Sequence, residues 1–255
     1  MSMCRMTAIV GEYSGRREFL LAFRELAVTG KVGVKSKPNS GHRDGWGLVC
    51  YNGSPRYLGR SPEDASSDRG YLAACDSLAG AHHSRVVMGH LRKASVGVRS
   101  LENTQPFLRG KWSFAHNGTI YSPRFREGDA ASDTVVLFDR LRVAIEDKDP
   151  SVSPESTILE TVRNIRNEIM SNPDDSRRTY SSLTFLMSDG VSLYALRDFA
   201  SQSDTDYYTL HYLQVDHAMI LCQEQIIPGE WKSIPNKSLA TVDPQGNIQV
   251  QSRDS

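Results

Sequence analysis

Residues between Arg92 and Gly118 have types and a spacing that suit a pocket for a small anionic substrate. Arg92 comes shortly after the apolar run Val86–Met88, and Asn117-Gly118 comes just after the strand-like run Trp112–Ala115. Strand ends are places where a rigid scaffold can present polar groups to a ligand. An arginine fork matches a carboxylate, whereas an asparagine amide and a glycine N–H suit a developing oxyanion. Asn-Gly alone is more often the turn of a β-hairpin, so this alternative stays open.

A cysteine near the start of the chain could supply a nucleophile. Cys4 directly precedes the apolar run Met6–Gly11, and a lone cysteine in such a place is usually a small core residue. A cysteine at a mature N-terminus differs, because its α-amine (pKa ~7.7–8.0) can take the proton of its thiol (pKa ~8.5). Met1-Ser2-Met3 precede Cys4, so this chemistry requires that residues 1–3 be removed or not translated.

Apolar periodicity predicts the elements that would position these residues. Helices are predicted at Arg16–Thr29, Ser66–Ala79, Ser132–Lys148 and onward from Ser153-Pro154. Besides the runs already named, strands are predicted at Gly45–Tyr51, Arg56–Gly59, Ser181–Met187, Val191–Leu196, Tyr207–Gln214, Ala218–Cys222, Leu239–Val242 and Ile248–Gln251. The polar connection Lys31–Asp44 is a candidate lid, and Ser171–Arg178 is predicted to be a loop. This order of elements favours an α+β protein with largely antiparallel sheets and no division into independent halves.

Composition excludes several classes of function. The 255 residues carry 30 basic and 30 acidic side chains without a long run of either sign, which argues against a nucleic-acid partner. No apolar run approaches the ~20 residues that span a bilayer, so no membrane association is expected.

The cysteines and histidines do not predict a metal site. The four cysteines are far apart and form no Cys-x-x-Cys pair, a pattern typical of reduced thiols in a cytoplasmic protein. His82 and His83 are adjacent in sequence, so their side chains diverge and cannot readily share one ion. We expect neither a metal nor another cofactor.

Six short motifs occur in an order that resembles a known family. They are Met3-Cys4-Arg5, Asp44-Gly45-Trp46-Gly47, His90-Leu91-Arg92-Lys93-Ala94-Ser95-Val96-Gly97, Glu102-Asn103-Thr104-Gln105-Pro106-Phe107, Phe114-Ala115-His116-Asn117-Gly118-Thr119-Ile120 and Ser132-Asp133-Thr134. Together they resemble the glutaminase domain of class II glutamine amidotransferases, which are N-terminal-nucleophile hydrolases. The resemblance implies a single domain over residues 1–255 with a four-layer αββα sandwich, in which two antiparallel sheets are flanked by helices.

The resemblance also implies a role for each site residue. Cys4 would attack the side-chain amide of glutamine or a γ-glutamyl compound and form a γ-glutamyl thioester. Asn117 and Gly118 would form the oxyanion hole. Arg92 would bind the substrate α-carboxylate and Asp133 its α-ammonium group. Taken alone, Asp133 could instead cap a helix and Arg92 could form a surface ion pair.

The sequence departs from the family pattern at the rim of the pocket. Family members with a synthase domain usually have Trp, Thr and His where this chain has Lys93, Ser95 and Val96, whereas short stand-alone members resemble the lysine version. Arg43 stands where proline is usual. Three functions therefore stay open: a stand-alone amidohydrolase, which we favour, a glutaminase subunit that supplies ammonia to a synthase partner on another chain, and a non-catalytic binding domain with Cys4 blocked. A homo-oligomer also stays open.

Overall fold

A computed structural model describes residues 4–32, 41–78, 85–94, 98–125, 132–171 and 179–252. The helices are α1 Arg16–Thr29, α2 Arg69–Ser77, α3 Asp133–Glu146, α4 Pro154–Met170 and the single turn α5 Thr205–Tyr208. The strands are β1 Arg5–Glu12, β2 Trp46–Asn52, β3 Ser54–Ser61, β4 Val86–Leu91, β5 Phe107–Arg109, β6 Trp112–Asn117, β7 Thr184–Ser188, β8 Leu193–Arg197, β9 His211–Val215, β10 His217–Cys222, β11 Lys232–Ser233, β12 Ser238–Val242 and β13 Ile248–Ser252.

The strands form two antiparallel sheets. The first has seven strands in the order β11-β9-β10-β1-β4-β2-β3, and the second has six in the order β13-β12-β8-β7-β6-β5. β1 is the central strand of the first sheet and pairs with β10 on one side and β4 on the other. Because its first residue is Arg5, Cys4 lies at the end of the most protected strand of this sheet.

Three apolar layers separate four layers of secondary structure. Alternate residues of β1, Met6, Ala8 and Val10, point into the core between the sheets and meet residues such as Leu186 of β7. Ile9 points the opposite way and packs with α1 and α2. A third core lies beneath α3 and α4, where Ile158, Val162, Ile165 and Ile169 form the buried stripe of α4. The predicted αββα sandwich is confirmed.

Several element ends differ from the sequence prediction, among them the starts of α2 and β9. Ser66 is not helical, because its backbone N–H donates to the Asp64 carboxylate (2.9 Å) and α2 starts only after its cap, Asp68. The segment from Tyr207 was predicted to be strand, but it begins within α5 and the strand starts at His211. Residues 33–40 of the candidate lid and 172–178 of the predicted loop lie outside the described residues.

Candidate active site

The predicted nucleophile and the predicted oxyanion-hole asparagine are in direct contact. The backbone N of Cys4 donates to Asn117 Oδ1 at 2.9 Å, although the two residues are 113 positions apart. Cys4 lies at the end of β1 in one sheet, and Asn117 is the last residue of β6 in the other. Both are buried, Cys4 at 3% exposure and Asn117 at 0%. The hydrogen bond therefore joins the two sheets at one end of the sandwich.

Two cationic side chains lie beside Cys4. Arg5 is fully buried, donates from Nη1 to the Cys4 carbonyl oxygen (3.0 Å) and pairs through Nε with Glu224 (2.5 Å). The Cys4 thiol contacts the carbonyl oxygen of Lys93 at 3.8 Å. Burial lowers the pKa of Lys93, and the carboxylate of Asp44 partly opposes this shift. Arg5 and Lys93 thus bring two positive charges near the buried thiol, each accompanied by a carboxylate, Glu224 and Asp44 respectively.

Arg92 lies at the same end of the strands of the first sheet as Cys4. The β1–β4 ladder pairs Arg5 with Leu91, so the residues beyond this pair, Cys4 and Arg92, are neighbours across the two strands. The Arg92 side chain is 7% exposed, and its Nη1 donates to the carbonyl oxygens of Asp44 (3.4 Å) and Val98 (3.3 Å). These contacts fix the guanidinium in a buried position, so Arg92 is not a surface side chain.

Gly118 lies against a neighbouring backbone that leaves no room for a side chain. A Cβ atom at this position would be 1.9 Å from the carbonyl oxygen of Ser182 and 2.7 Å from Nε2 of His116. The ring of His116 is itself fixed by Ser182 O (3.0 Å to Nε2) and Thr134 Oγ1 (3.1 Å to Nδ1). Because a carbonyl only accepts, Nε2 carries the proton. Burial lowers the pKa of His116, and the nearby Asp133 carboxylate partly opposes this shift.

The hairpin interpretation of Asn117-Gly118 is wrong. β6 pairs with β5, which precedes it, and with β7, which begins only at Thr184, so this dipeptide joins no pair of adjacent strands. Gly118 also lacks the positive φ angle that a type I′ turn needs at its central residues.

Asp133 approaches the site from α3 and is not the helix cap. The cap is Ser132, whose hydroxyl accepts the N–H of Val135 (3.4 Å). The Asp133 carboxylate accepts the backbone N–H of Ile120 at 2.7 Å and that of Thr134 at 3.0 Å. The first bond ties the start of α3 to the segment after Asn117, so the carboxylate lies on the β6 side of the site.

Residues after position 200 complete the site and were not predicted from the sequence. Gln223, directly after β10, is 2% exposed and accepts a hydrogen bond from Asn117 Nδ2 at 3.1 Å. The carbonyl oxygen of Tyr207 in α5 lies 3.5 Å from the same Nδ2. Tyr208 is fully buried, and its pKa is raised chiefly by burial, with a smaller effect from Cys4. A polar residue directly after a buried strand, as at Asn117, was the signal that could have identified Gln223.

The described part of the chain contains no disulfide, no cluster of metal-binding side chains and no helix that could span a membrane. None of the four cysteines is in a disulfide. Among these residues no cluster of three or more histidine, cysteine or acidic side chains is placed to hold a metal ion, and His82 and His83 lie outside them. No described helix has the length and apolar character needed to cross a bilayer.

Comparison with known proteins identifies the family. The model of the class-II glutamine amidotransferases matches residues 10–219. The chain therefore belongs to this family, and its αββα fold is that of the N-terminal-nucleophile hydrolases.

Individual relatives match with lower coverage. An uncharacterised protein of Methanocaldococcus jannaschii is 28% identical over 202 residues, which is 72% of this chain and 51% of that protein. The gamma-glutamyl-hercynylcysteine sulfoxide hydrolase of Mycobacterium tuberculosis is 33% identical over 98 residues, 37% of this chain and 40% of that protein. This chain thus spans about half the length of the first relative and 40% of the length of the second.

A solved structure supports the fold. The glutamine phosphoribosylpyrophosphate amidotransferase of B. subtilis superposes with a TM-score of 0.66 at 12% identity, covering 98% of this chain and 49% of that chain. At this identity the likeness concerns the fold alone.

Proposed function

We propose that this protein hydrolyses the side-chain amide of glutamine or a related γ-glutamyl compound, with Cys4 as an N-terminal nucleophile. The observation that carries the proposal is the 2.9 Å bond from the Cys4 backbone N to Asn117 Oδ1, with Gly118 next in the chain. It brings the nucleophile, its amine and the proposed oxyanion donors into one buried place. The γ-glutamyl hydrolase activity named for the M. tuberculosis relative supports the choice of substrate class.

The reaction requires that Cys4 carry an α-amine, so residues 1–3 are absent from the active form. The amine takes the thiol proton while Sγ attacks the amide carbon, and the negative charge moves to the former carbonyl oxygen. Gly118 N–H and Asn117 Nδ2 stabilise that oxygen. The 3.5 Å contact from Nδ2 to Tyr207 O is at the limit of a hydrogen bond, so this hydrogen is the one that turns to the oxyanion.

Proton return completes the two half-reactions. The α-ammonium group gives its proton to the leaving nitrogen, the C–N bond breaks, and ammonia or an amine departs from the γ-glutamyl thioester. A water molecule then loses a proton to the same amine and attacks the thioester carbon. The C–S bond breaks, the thiol regains its proton, and glutamate is released.

Arg92 and Asp133 select the amino-acid head of the substrate in this proposal. Arg92 follows the end of β4 in the first sheet and binds the α-carboxylate through its planar fork. Asp133 enters from α3 on the other side and accepts from the α-ammonium group. Two opposite charges fit a zwitterion, which explains why a γ-glutamyl group would be preferred over a simple amide.

Purified protein with a verified Cys4 N-terminus tests the proposal. We expect ammonia release from glutamine or amine release from γ-glutamyl peptides, and a γ-glutamyl adduct on Cys4 in mass spectra of acid-quenched reactions. Cys4→Ala should abolish both signals, whereas Cys75→Ala, in α2, should retain them. Activity that appears only with a synthase would make this chain an ammonia-supplying subunit. No turnover and no adduct on any γ-glutamyl amide would leave a binding domain.

We further propose that the chain acts as one amidotransferase-type domain in the cytoplasm. Its four cysteines are buried thiols, a state that a reducing compartment preserves.

A further inference from the structure

Gln223 lies behind the proposed catalytic pair, and its amide orientation is fixed by groups that allow only one arrangement. Its side-chain oxygen accepts the backbone N–H of Met6 at 3.1 Å, and a backbone N–H can only donate. Its side-chain nitrogen lies 3.4 Å from the carbonyl oxygen of Tyr207, which can only accept. Both partners belong to the main chain, and the residue is 2% exposed, so the Gln223 amide cannot flip without losing both contacts.

The fixed amide of Gln223 in turn fixes the amide of Asn117. Gln223 Oε1 also lies 3.1 Å from Asn117 Nδ2, and an oxygen at this position requires a donor opposite it. A flipped Asn117 would place two oxygens against each other there and would present Nδ2 to the backbone N of Cys4. Asn117 Oδ1 therefore faces Cys4 N at 2.9 Å, because Gln223 Oε1 faces Asn117 Nδ2 at 3.1 Å and the longer contact to Tyr207 O (3.5 Å) supports the same orientation.

This orientation matters for the chemistry of an N-terminal amine. When Asn117 Oδ1 faces the amine, it accepts one N–H, and the nitrogen lone pair is left to take the thiol proton. When Nδ2 faces the amine, it donates to that lone pair and competes with the thiol. An oxygen also stabilises the ammonium form, which in turn favours the neighbouring thiolate.

We infer that Gln223 is a positioning residue, whose buried amide orients Asn117 so that the α-amine of Cys4 can act as the general base. The inference rests on the proposed function for its role in turnover. The inference predicts that loss of the Gln223 amide changes the pH at which the Cys4 thiol–amine pair loses its proton. This change comes in addition to the loss of stability that removal of any buried polar side chain causes.

Alkylation of Cys4 by iodoacetamide tests the inference without a substrate. Protein with a verified Cys4 N-terminus is alkylated across a pH series, and modification of Cys4 is followed by peptide mass spectrometry. For Gln223→Met we expect the midpoint pH of Cys4 alkylation to rise by about one unit, the effect of one hydrogen bond to a charged group. Arg5, Lys93 and Tyr208 also interact with Cys4 and are unchanged in this variant.

Gln105→Met is a matched control. Gln105 is also buried (7% exposed), and its Oε1 accepts the backbone N–H of His116 at 2.7 Å, so its loss removes a similar bond from β6, the strand that carries Asn117. We expect this variant to lose stability but to retain the wild-type midpoint. Gln223→Ala removes the same acceptor oxygen without adding bulk, so it should raise the midpoint as Gln223→Met does, and it gives a second test if the methionine variant folds poorly.

Turnover separates this inference from the proposed function. On the best γ-glutamyl substrate, Gln223→Met should lower kcat about tenfold with little change in KM, the rate equivalent of one hydrogen bond. A wild-type protein that turns over no γ-glutamyl amide overturns the proposed function, yet the alkylation series still tests Gln223. An unchanged alkylation midpoint in folded Gln223→Met or Gln223→Ala overturns the inference, whatever the wild-type activity.

Discussion

Replacement of Gly118 by alanine tests whether the close approach at this position is required by both the fold and the site. The new Cβ would lie 1.9 Å from Ser182 O, whereas non-bonded carbon contacts are favourable at about 3.5–4.0 Å, so the backbones must separate by roughly 1.6 Å. Overpacking of this kind costs about 1–3 kcal/mol, and loss of the His116–Ser182 hydrogen bond adds about 1 kcal/mol. We expect a total destabilisation of about 2–4 kcal/mol, or roughly 5–15 °C in Tm.

Gly110→Ala is the matched control, because Gly110 lies before the other end of β6 and a Cβ there would meet nothing within 4 Å. Its φ of 56° costs an alanine only about 1–2 kcal/mol. Thermal unfolding of the two variants measures the difference in stability. The kcat of Gly118→Ala should fall about 100-fold, because a displacement of more than about 1 Å misplaces the proposed oxyanion donor. A Gly118→Ala protein as stable and as active as Gly110→Ala would refute the reasoning.

Three other predictions follow from the site. Arg92→Lys should raise KM about 10–100-fold while kcat changes little, because an ammonium cannot reproduce the bidentate fork, and steady-state kinetics on the best γ-glutamyl substrate will show it. Protein that retains Ser2 and Met3 should be inactive, and full activity of such a chain, verified by mass spectrometry, would defeat the N-terminal-nucleophile mechanism. Burial lowers the pKa of His90 to about 3, whereas the pKa of this side chain in the unfolded chain is ~6.5. Between these two values only the unfolded chain binds a proton at His90, so the stability of the fold decreases by up to about 1.4 kcal/mol for each pH unit of acidification. His90→Leu should therefore lose less stability than the wild type between about pH 7 and pH 5, as measured by urea unfolding. Equal losses in the two proteins would contradict the attribution of this pH dependence to His90.

The sequence predicts elements well where local signals decide them. α1 begins and ends at the predicted residues, since its apolar period is continuous and Gly30 follows it. α4 begins after the predicted Ser153 cap, whose hydroxyl accepts the N–H of Ser156 at 3.2 Å. The start of α2 was wrong because Asp64 holds Ser66 in a turn, a competition between side chain and helix that apolar spacing does not report.

In the candidate site, too, local sequence predicts some features and not others. Cys4, Arg92, Asn117 and Gly118 follow or precede apolar runs, so their presence at strand ends was predictable, and the family motifs connected them. A polar residue after an apolar run marks Gln223 as a candidate, but its contact with Asn117 was not predictable, because that contact depends on the pairing of β1 with β10, and Gln223 lies 217 positions from Met6. Side-chain amide orientation is also absent from any sequence pattern, since it is set by the donors and acceptors that the fold brings together.

Because β1 is the central strand of its sheet, its pairing determines at what stage of synthesis and folding the site can form. Its ladder partners, β4 and β10, come from distant parts of the chain, so a growing polypeptide cannot complete the surroundings of Cys4 before residue 223 has been made. Contacts of such long sequence separation form late and slowly in folding. Once formed, they place the nucleophile on a strand whose amides should exchange with solvent hydrogen only through global unfolding. The end of the molecule that carries the proposed nucleophile should therefore persist as long as the core, and the proposed activity should be lost only when the whole fold opens.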